Sequence, residues 1–180
     1  MQQGQIILLN GVSSSGKSTL AKQLASKLRN YFPLSIDDFD ELIERMEDRT
    51  LEKLIPIPTE HFFHQTTAMF SDRGINLIVD QILHNDDTMK DAFTVLKDYP
   101  IFFVGVHCSL DELERREAAR GDRTIGQAEK QLAYVHQQGE VYDVTVDTSQ
   151  GEAADVVIKQ LKSQKSAKGW KSTLKKTGLK

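Results

Sequence analysis

At 180 residues, 39% of them hydrophobic and 27% charged, the chain fits one α/β domain of ordinary size and can bury a sizeable interior. The formal charge of −3 conceals an asymmetry, because every charged residue from Val156 to Lys180 is lysine and the remainder is acidic, so any electrostatic partner is a local matter. Cys108 is the only cysteine, which excludes an intrachain disulfide; with no basic-then-apolar leader and no apolar window of membrane-spanning length, a cytoplasmic protein without a membrane partner is expected.

The apolar run Gln5 to Asn10 predicts a first strand. It leads directly into Gly11-Val12-Ser13-Ser14-Ser15-Gly16-Lys17-Ser18, a complete G-x-x-x-x-G-K-[ST] match. Lys17 to about Arg29 reads as a helix with Leu20, Leu24 and Leu28 on one face, and Tyr31 to Ile36 as a second strand. Asp37, Asp38 and Asp40 follow at the start of an amphipathic helix carrying Leu42, Ile43 and Met46, where acids favour a helix N-terminus. After Pro56 and Pro58 a helix is expected from Thr59 through Phe70, stopped by Gly74; then come a buried strand over Ile75 to Val79, ending in Asp80, and a helix over Asp86 to Asp98. Ile101 to Cys108 reads as a fourth strand, with Ser109 and Glu112 forming a capping box for a helix that runs to about Arg120. Gly121 breaks it, and a further helix is expected over Ile125 to Gln138. A fifth strand, Val141 to Val146, ends at Asp147-Thr148-Ser149, and a last helix begins near Glu152. Five βα repeats predict a five-stranded parallel sheet with helices on both faces. Beyond it the lysine-rich segment 162–180 reads as a solvated tail whose removal leaves the core intact.

The loop predicts a phosphate site. Its glycines let backbone N–H groups converge on an anion at a helix N-terminus, Lys17 reaches the outer phosphates, and the Ser18 hydroxyl is placed to ligate Mg²⁺. In a parallel sheet ligands bind beyond the carboxyl ends of the strands, which here also carry Asp37, Asp38, Asp80 and Asp147. A loop for ATP and Mg²⁺ beside carboxylates suits phosphoryl transfer, with Asp37 as the base that takes the acceptor hydroxyl's proton; one of Asp37 and Asp38 can equally cap the helix. Asp80 can hold Mg²⁺ through water, orient the acceptor or serve structure alone. Arginines over the transferring phosphate are sought among Arg115, Arg116, Arg120 and Arg123. A solvated face laced with Glu112, Glu114 and Glu117 suits the first pair better than the second. His61 and His64, three apart with no third ligand spaced to them, suit packing or substrate contact and not zinc.

Four segments taken together resemble the chloramphenicol phosphotransferase family of P-loop kinases: Ile6 to Gly11 with Ser13 to Ser18; Ile36-Asp37; Ile78-Val79-Asp80; and Val104 to Cys108 continuing through Glu117-Ala118-Ala119-Arg120-Gly121-Asp122-Arg123 to Tyr142-Asp143-Val144-Thr145-Val146-Asp147-Thr148. The resemblance implies a P-loop kinase domain over 1–161 with a lid region at about 109–138, moving the γ-phosphate of ATP to a hydroxyl of a small molecule. It implies Asp37, Lys17, Arg123 and Arg120 as catalytic residues, and Gly11, Ser13, Ser14, Ser15, Gly16, Lys17, Ser18, Thr19, Arg120 and Thr148 around ATP. Ser18 is the implied metal ligand, and Asp80, from its position at the end of a strand, is taken as the second. The stretch between Asp38 and Arg73 departs from the family, so reaction type transfers better than acceptor. A nucleic-acid-end kinase gripping phosphates through the basic tail is one alternative. A nucleotide-dependent binding or switch protein is the other.

Overall fold

Ile6, Ile7, Leu8 and Leu9 are all apolar because β1 (Ile6–Asn10) is the central strand and is covered on both faces. The computed structural model describes residues 2–120, 126–164 and 166–178, and only the backbone at Arg120. β2 (Tyr31–Ser35), β3 (Asn76–Gln81), β4 (Ile101–His107) and β5 (Val144–Asp147) complete a parallel sheet in the order β2-β3-β1-β4-β5.

Alternation along the strands divides the core between the faces. Ile7, Leu9, Ile78, Phe102 and Val104 pack on α1 (Lys17–Lys27) and α7 (Ala153–Ser163) through Leu20, Leu24, Ala154 and Val157. Ile6, Leu8, Leu77, Val79 and Phe103 face the other way, onto α3 (Thr59–Asp72) and α4 (Asp86–Leu96) through Phe63, Ala68, Met89 and Phe93. The helix after β1 and the helix after β3 thus lie on opposite faces although the strands are neighbours, which opens a crevice at their carboxyl ends. Asp37 is delivered there by α2 (Ile36–Met46), an amphipathic helix with no buried residue.

Three expectations from sequence are corrected. The break expected at Gly121 and the helix start at Ile125 lie outside the described residues; within 126–138 the expected helix is α6 (Gln127–Gln131), followed by turns with i→i+3 bonds at Ala133, Tyr134 and Gln137, and His136 at φ 72° lies outside helical backbone space. The fifth strand starts at Val144 and not Val141, because the Asp143 carboxylate takes the Phe103 N–H (2.9 Å) on one side and the Lys168 and Gly169 N–H groups (2.8 and 2.9 Å) on the other. Those last two bonds reveal the third difference. The lysine-rich segment carries α8 (Gly169–Thr177), whose Trp170 is 1% exposed between Phe93 and Phe103 and donates from Nε1 to the Leu96 carbonyl (3.2 Å). Its lysines are solvated; its aromatic side is core.

Candidate active site

The loop after β1 has the room and the backbone that an anion cradle needs. A Cβ at Gly11 would meet the Val106 carbonyl oxygen at 2.4 Å, and Gly16, at φ 88°, opens α1 without a side-chain cap. The N–H groups of the first helical turn and the positive end of the helix therefore face the mouth of the loop. The Thr148 hydroxyl donates to the Ser15 carbonyl (2.5 Å) and so fixes the Ser15–Gly16 peptide, whose Gly16 N–H points the opposite way across the planar unit. The hydroxyls of Ser13 and Ser14, which line the cleft, are buried without hydrogen-bond partners, so the cradle offers polar groups that phosphate oxygens would satisfy.

Lys17, 7% exposed, donates from Nζ to the Val12 carbonyl (3.0 Å) and lies 4.0 Å from Oδ1 of Asp80. The other Asp80 oxygen accepts the Ser18 hydroxyl proton at 2.6 Å. A hydroxyl and a carboxylate side by side are hard oxygen donors of the kind Mg²⁺ takes while keeping part of its water shell. Asp80 lies within β3, one register step from the loop strand, which is why the chain can offer it to Ser18.

Ser13, Ser14, Gly16, Lys17, Ser18 and Thr19 line a cleft of about 470 Å³ together with Asp37, Asp80 and Thr148; Gly11 and Ser15 lie behind it. Asp37 enters from the first turn of α2, whereas Asp38, its neighbour, does not line the cleft. Arg123 lies outside the described residues, as does the side chain of Arg120, which ends α5 (Leu110–Arg120).

The residue that sequence undervalued is Arg116. It does not belong to a solvated face: its guanidinium is bonded to the Thr148 hydroxyl (3.0 Å), the Thr148 carbonyl (3.2 Å), the Ser14 carbonyl of the loop (3.3 Å) and Oε1 of Glu112 (2.7 Å). Glu112 does not close the expected capping box but turns both oxygens to arginine. Hydrogen bonds from Arg115 and then Arg116 hold its carboxyl down to about 2. Glu117, 1% exposed, accepts the N–H groups of Gly126 (2.8 Å) and Ala128 (2.7 Å) and so anchors the start of α6 to α5. The i, i+4 spacing of Glu112 and Arg116 was the one local signal; a loop carbonyl 102 positions away was not visible.

Two further polar clusters lie on the sheet face that α3 and α4 cover. Asn10 donates from Nδ2 to the Tyr142 hydroxyl (2.9 Å), which is also bonded to Nδ1 of His136 (2.6 Å), and that ring stacks on His107 at 4.0 Å. Burial first, and His107 beside it, push the His136 imidazole down to about 4. On the same sheet face, between α3 and α4, Asp91 bridges His61 (2.8 Å) and His64 (2.5 Å), and His64, fully buried, reaches the Gln81 amide. Burial would raise the Asp91 carboxyl, but the two histidine hydrogen bonds outweigh it and hold it below its ordinary value. Among the described residues no group of three or more His, Cys, Asp and Glu is arranged to hold a metal ion.

Comparison with known proteins gives this geometry a context. A family model described as chloramphenicol phosphotransferase-like protein matches residues 4–164. A Mycobacterium tuberculosis protein named by inference an O-phosphotransferase is 30% identical over 174 residues, covering 83% of this chain and 77% of that protein. The shikimate kinase of Clostridium botulinum is 41% identical over 59 residues, 33% of this chain and 32% of that enzyme. Among solved structures, the APS kinase CysC of Mycobacterium tuberculosis superimposes with a TM-score of 0.66 at 21% identity, over 91% of this chain and 100% of that one. A gluconokinase from Sinorhizobium meliloti does so with a TM-score of 0.63 at 20% identity, over 89% and 93%. At these identities the two superpositions establish the shared P-loop kinase fold.

Proposed function

The chain belongs to the chloramphenicol phosphotransferase-like family, and from that premise we propose that it transfers the γ-phosphate of ATP, with Mg²⁺, to a hydroxyl of a small uncharged molecule. The observation that carries the reading is the bonded pair Ser18–Asp80 beside Lys17 in the cleft that Asp37 also lines. Phosphoryl transfer asks a protein for positioning and charge neutralisation more than for covalent chemistry, and these side chains supply both.

Bound ATP supplies the phosphoryl group, and Mg²⁺ neutralises charge on its oxygens. The loop N–H groups and Lys17 would hold the phosphates, while Ser18 and Asp80 would hold the metal. Arg116 fixes the loop through Ser14 and Thr148 and adds a cation on the α5 side. Asp37 takes the proton of the acceptor hydroxyl at its carboxylate as the oxygen attacks the γ-phosphorus, while the bond from that phosphorus to the β–γ bridging oxygen breaks and ADP leaves. Arg120 and Arg123, matched by the family resemblance, are proposed to meet the developing charge, as a planar guanidinium fork suits phosphate.

The acceptor is proposed to be neutral and partly apolar. On its side the cleft is lined by Ile36, Asp37 and Ile82, while the lining cations Lys17, Arg115 and Arg116 stand on the loop and α5. α2 and the segment after it present exposed Leu42, Met46, Leu51, Leu54 and Ile57. Chloramphenicol is the first acceptor to test. The experiment is a screen of hydroxylated metabolites and antibiotics for ADP release above the rate without acceptor, with Lys17→Ala as the inactive control and a 5′-hydroxyl oligonucleotide as a separate arm. Acceptor-dependent release confined to the oligonucleotide would transfer the reading to a nucleic-acid-end kinase, and none at all would leave a nucleotide-binding or switch protein. A cytoplasmic site of action, where ATP is abundant, is part of the same proposal.

A further inference from the structure

One hydrogen bond of the phosphate loop has no counterpart in the transfer chemistry just described. The Ser13 N–H donates to Oε1 of Gln131 at 2.6 Å, across 118 positions of chain. Beside it Val12, 2% exposed, packs with Leu113 of α5 and with Ala128 and Val135 of the α6 segment in a small apolar cluster separate from the two that fill the sheet faces. Glu117 ties the same two elements together through the Gly126 and Ala128 N–H groups. The first residues of the loop are thus seated on the α5–α6 unit by one directional bond and one apolar contact, and α5 is the helix that brings Arg116 to Ser14.

A peptide at the head of a phosphate loop has two candidate partners for its N–H, the bound anion and the protein. Gln131 commits the Ser13 N–H to the protein. That fixes the Ser13 peptide plane, and with it the orientation of the peptides that follow in a loop whose turn is closed by the Ser15 N–H on the Val12 carbonyl (3.2 Å). We propose that Gln131 is a positioning residue for phosphoryl transfer: its carboxamide oxygen locks the head of the phosphate loop onto the α5–α6 unit, so that cradle and Arg116 keep one mutual geometry. The proposal rests on the phosphotransferase reading above. An acceptor atom is what the position requires, because the partner is an N–H; a side chain of the same length without oxygen leaves that donor buried and unsatisfied.

The test uses the full chain with Gln131→Met, which keeps length and loses the acceptor, and Gln131→Glu, which keeps an acceptor oxygen. Amide hydrogen exchange at Ser13, read by NMR without nucleotide, is expected to be slow in the wild type and in Gln131→Glu and at least ~10-fold faster in Gln131→Met. In Gln131→Met the kcat for ATP turnover, measured with an acceptor from the screen or with water, is expected to fall by about 10- to 100-fold while the KM for ATP stays within about 3-fold. Equal Ser13 exchange in wild type and Gln131→Met, or an unchanged kcat, would overturn the proposal. Lys17→Ala separates the two levels. If it abolishes binding of a fluorescent ATP analogue while Gln131→Met changes neither readout, only the role of Gln131 fails; if Lys17→Ala leaves nucleotide binding and turnover intact, the phosphotransferase reading fails and takes this one with it.

Discussion

The hydroxyl of Ser18, at the first turn of α1, and the carboxylate of Asp80, in β3, are bonded at 2.6 Å although 62 positions separate them. Two oxygen donors side by side would supply two of the six positions of an octahedral Mg²⁺ shell, and replacing one by a poorer ligand would weaken the site. Asp80→Asn is expected to lower kcat by about 10²-fold and to raise the Mg²⁺ concentration needed for half-maximal turnover. A Mg²⁺ titration of ADP release on both proteins checks it. An unshifted midpoint would remove Asp80 from the metal site.

Arg116 contributes through geometry as well as charge, so its two replacements should differ from a simple loss of a cation. Arg116→Lys keeps the charge but cannot hold the Thr148 hydroxyl, the Thr148 carbonyl and the Ser14 carbonyl together. Both Arg116→Ala and Arg116→Lys are expected to lower kcat/KM for ATP by roughly 10-fold or more, with Lys recovering little. Full rescue by lysine in steady-state kinetics would reduce Arg116 to a point charge.

The inner strands β1, β3 and β4 were legible because each is an apolar run buried on both faces, whereas the partly exposed edge strands β2 and β5 were legible from their place between helices. The loop was legible because all of its specified residues lie within eight consecutive positions, Gly11 to Ser18. What escaped depends on partners distant in sequence. Val141 to Val146 alternates like a strand, yet Asp143 is claimed by Phe103 and by the start of α8, and pairing starts only at Val144. Trp170 is the clearest aromatic in a lysine-rich stretch, and composition cannot say that Phe93 and Phe103 leave a slot for it. Arg116 and Gln131 belong to the site through bonds that span 102 and 118 positions, a relation that no local periodicity encodes.

The half-buried His136 ring makes stability fall as the solution is acidified. Its folded value of about 4 lies below the ordinary value near ~6.5, so below that pH the unfolded chain binds a proton that the folded chain refuses. The contribution is complete above about 6.5 and is lost progressively as pH falls from there towards 4. His136→Asn tolerates the φ of 72° and does not titrate, so its stability should fall less over that window, by on the order of 1–2 kcal/mol. Urea unfolding of both proteins at pH 7 and pH 4.5 reads the difference, and parallel losses would show that His136 is not the group responsible.

Asp37 and Asp38 are adjacent, but Asp37 alone of the two lines the cleft. Asp37→Asn keeps size and hydrogen-bonding reach while losing the ability to take a proton. It is expected to cut acceptor phosphorylation by about 10²- to 10⁴-fold and to leave affinity for a fluorescent ATP analogue nearly unchanged. Asp38→Asn serves as the comparison and should be milder. A dead Asp38→Asn beside a normal Asp37→Asn would reassign the base.

The last prediction separates the two sides of α8, which the sequence presented as one basic tail. Trp170 fills a slot between Phe93 and Phe103 and spends its N–H on Leu96, so Trp170→Ala removes a large buried side chain and strands a carbonyl. It is expected to cost about 3–5 kcal/mol, and a chain cut after Lys162 should suffer at least as much, because the Asp143 carboxylate then also loses the Lys168 and Gly169 N–H groups. Lys171, Lys175 and Lys176 are exposed on the far side, and replacing all three by serine should shift stability by no more than about 0.5 kcal/mol and leave turnover of a small acceptor intact. Thermal and urea unfolding of the Trp170→Ala, truncated and triple-serine chains, with ADP release on each, make the comparison. If truncation leaves the unfolding midpoint where it was, α8 is not part of the core. If the serine variant loses all turnover with small acceptors while folding normally, the lysines belong to the substrate site and the nucleic-acid alternative becomes the stronger account.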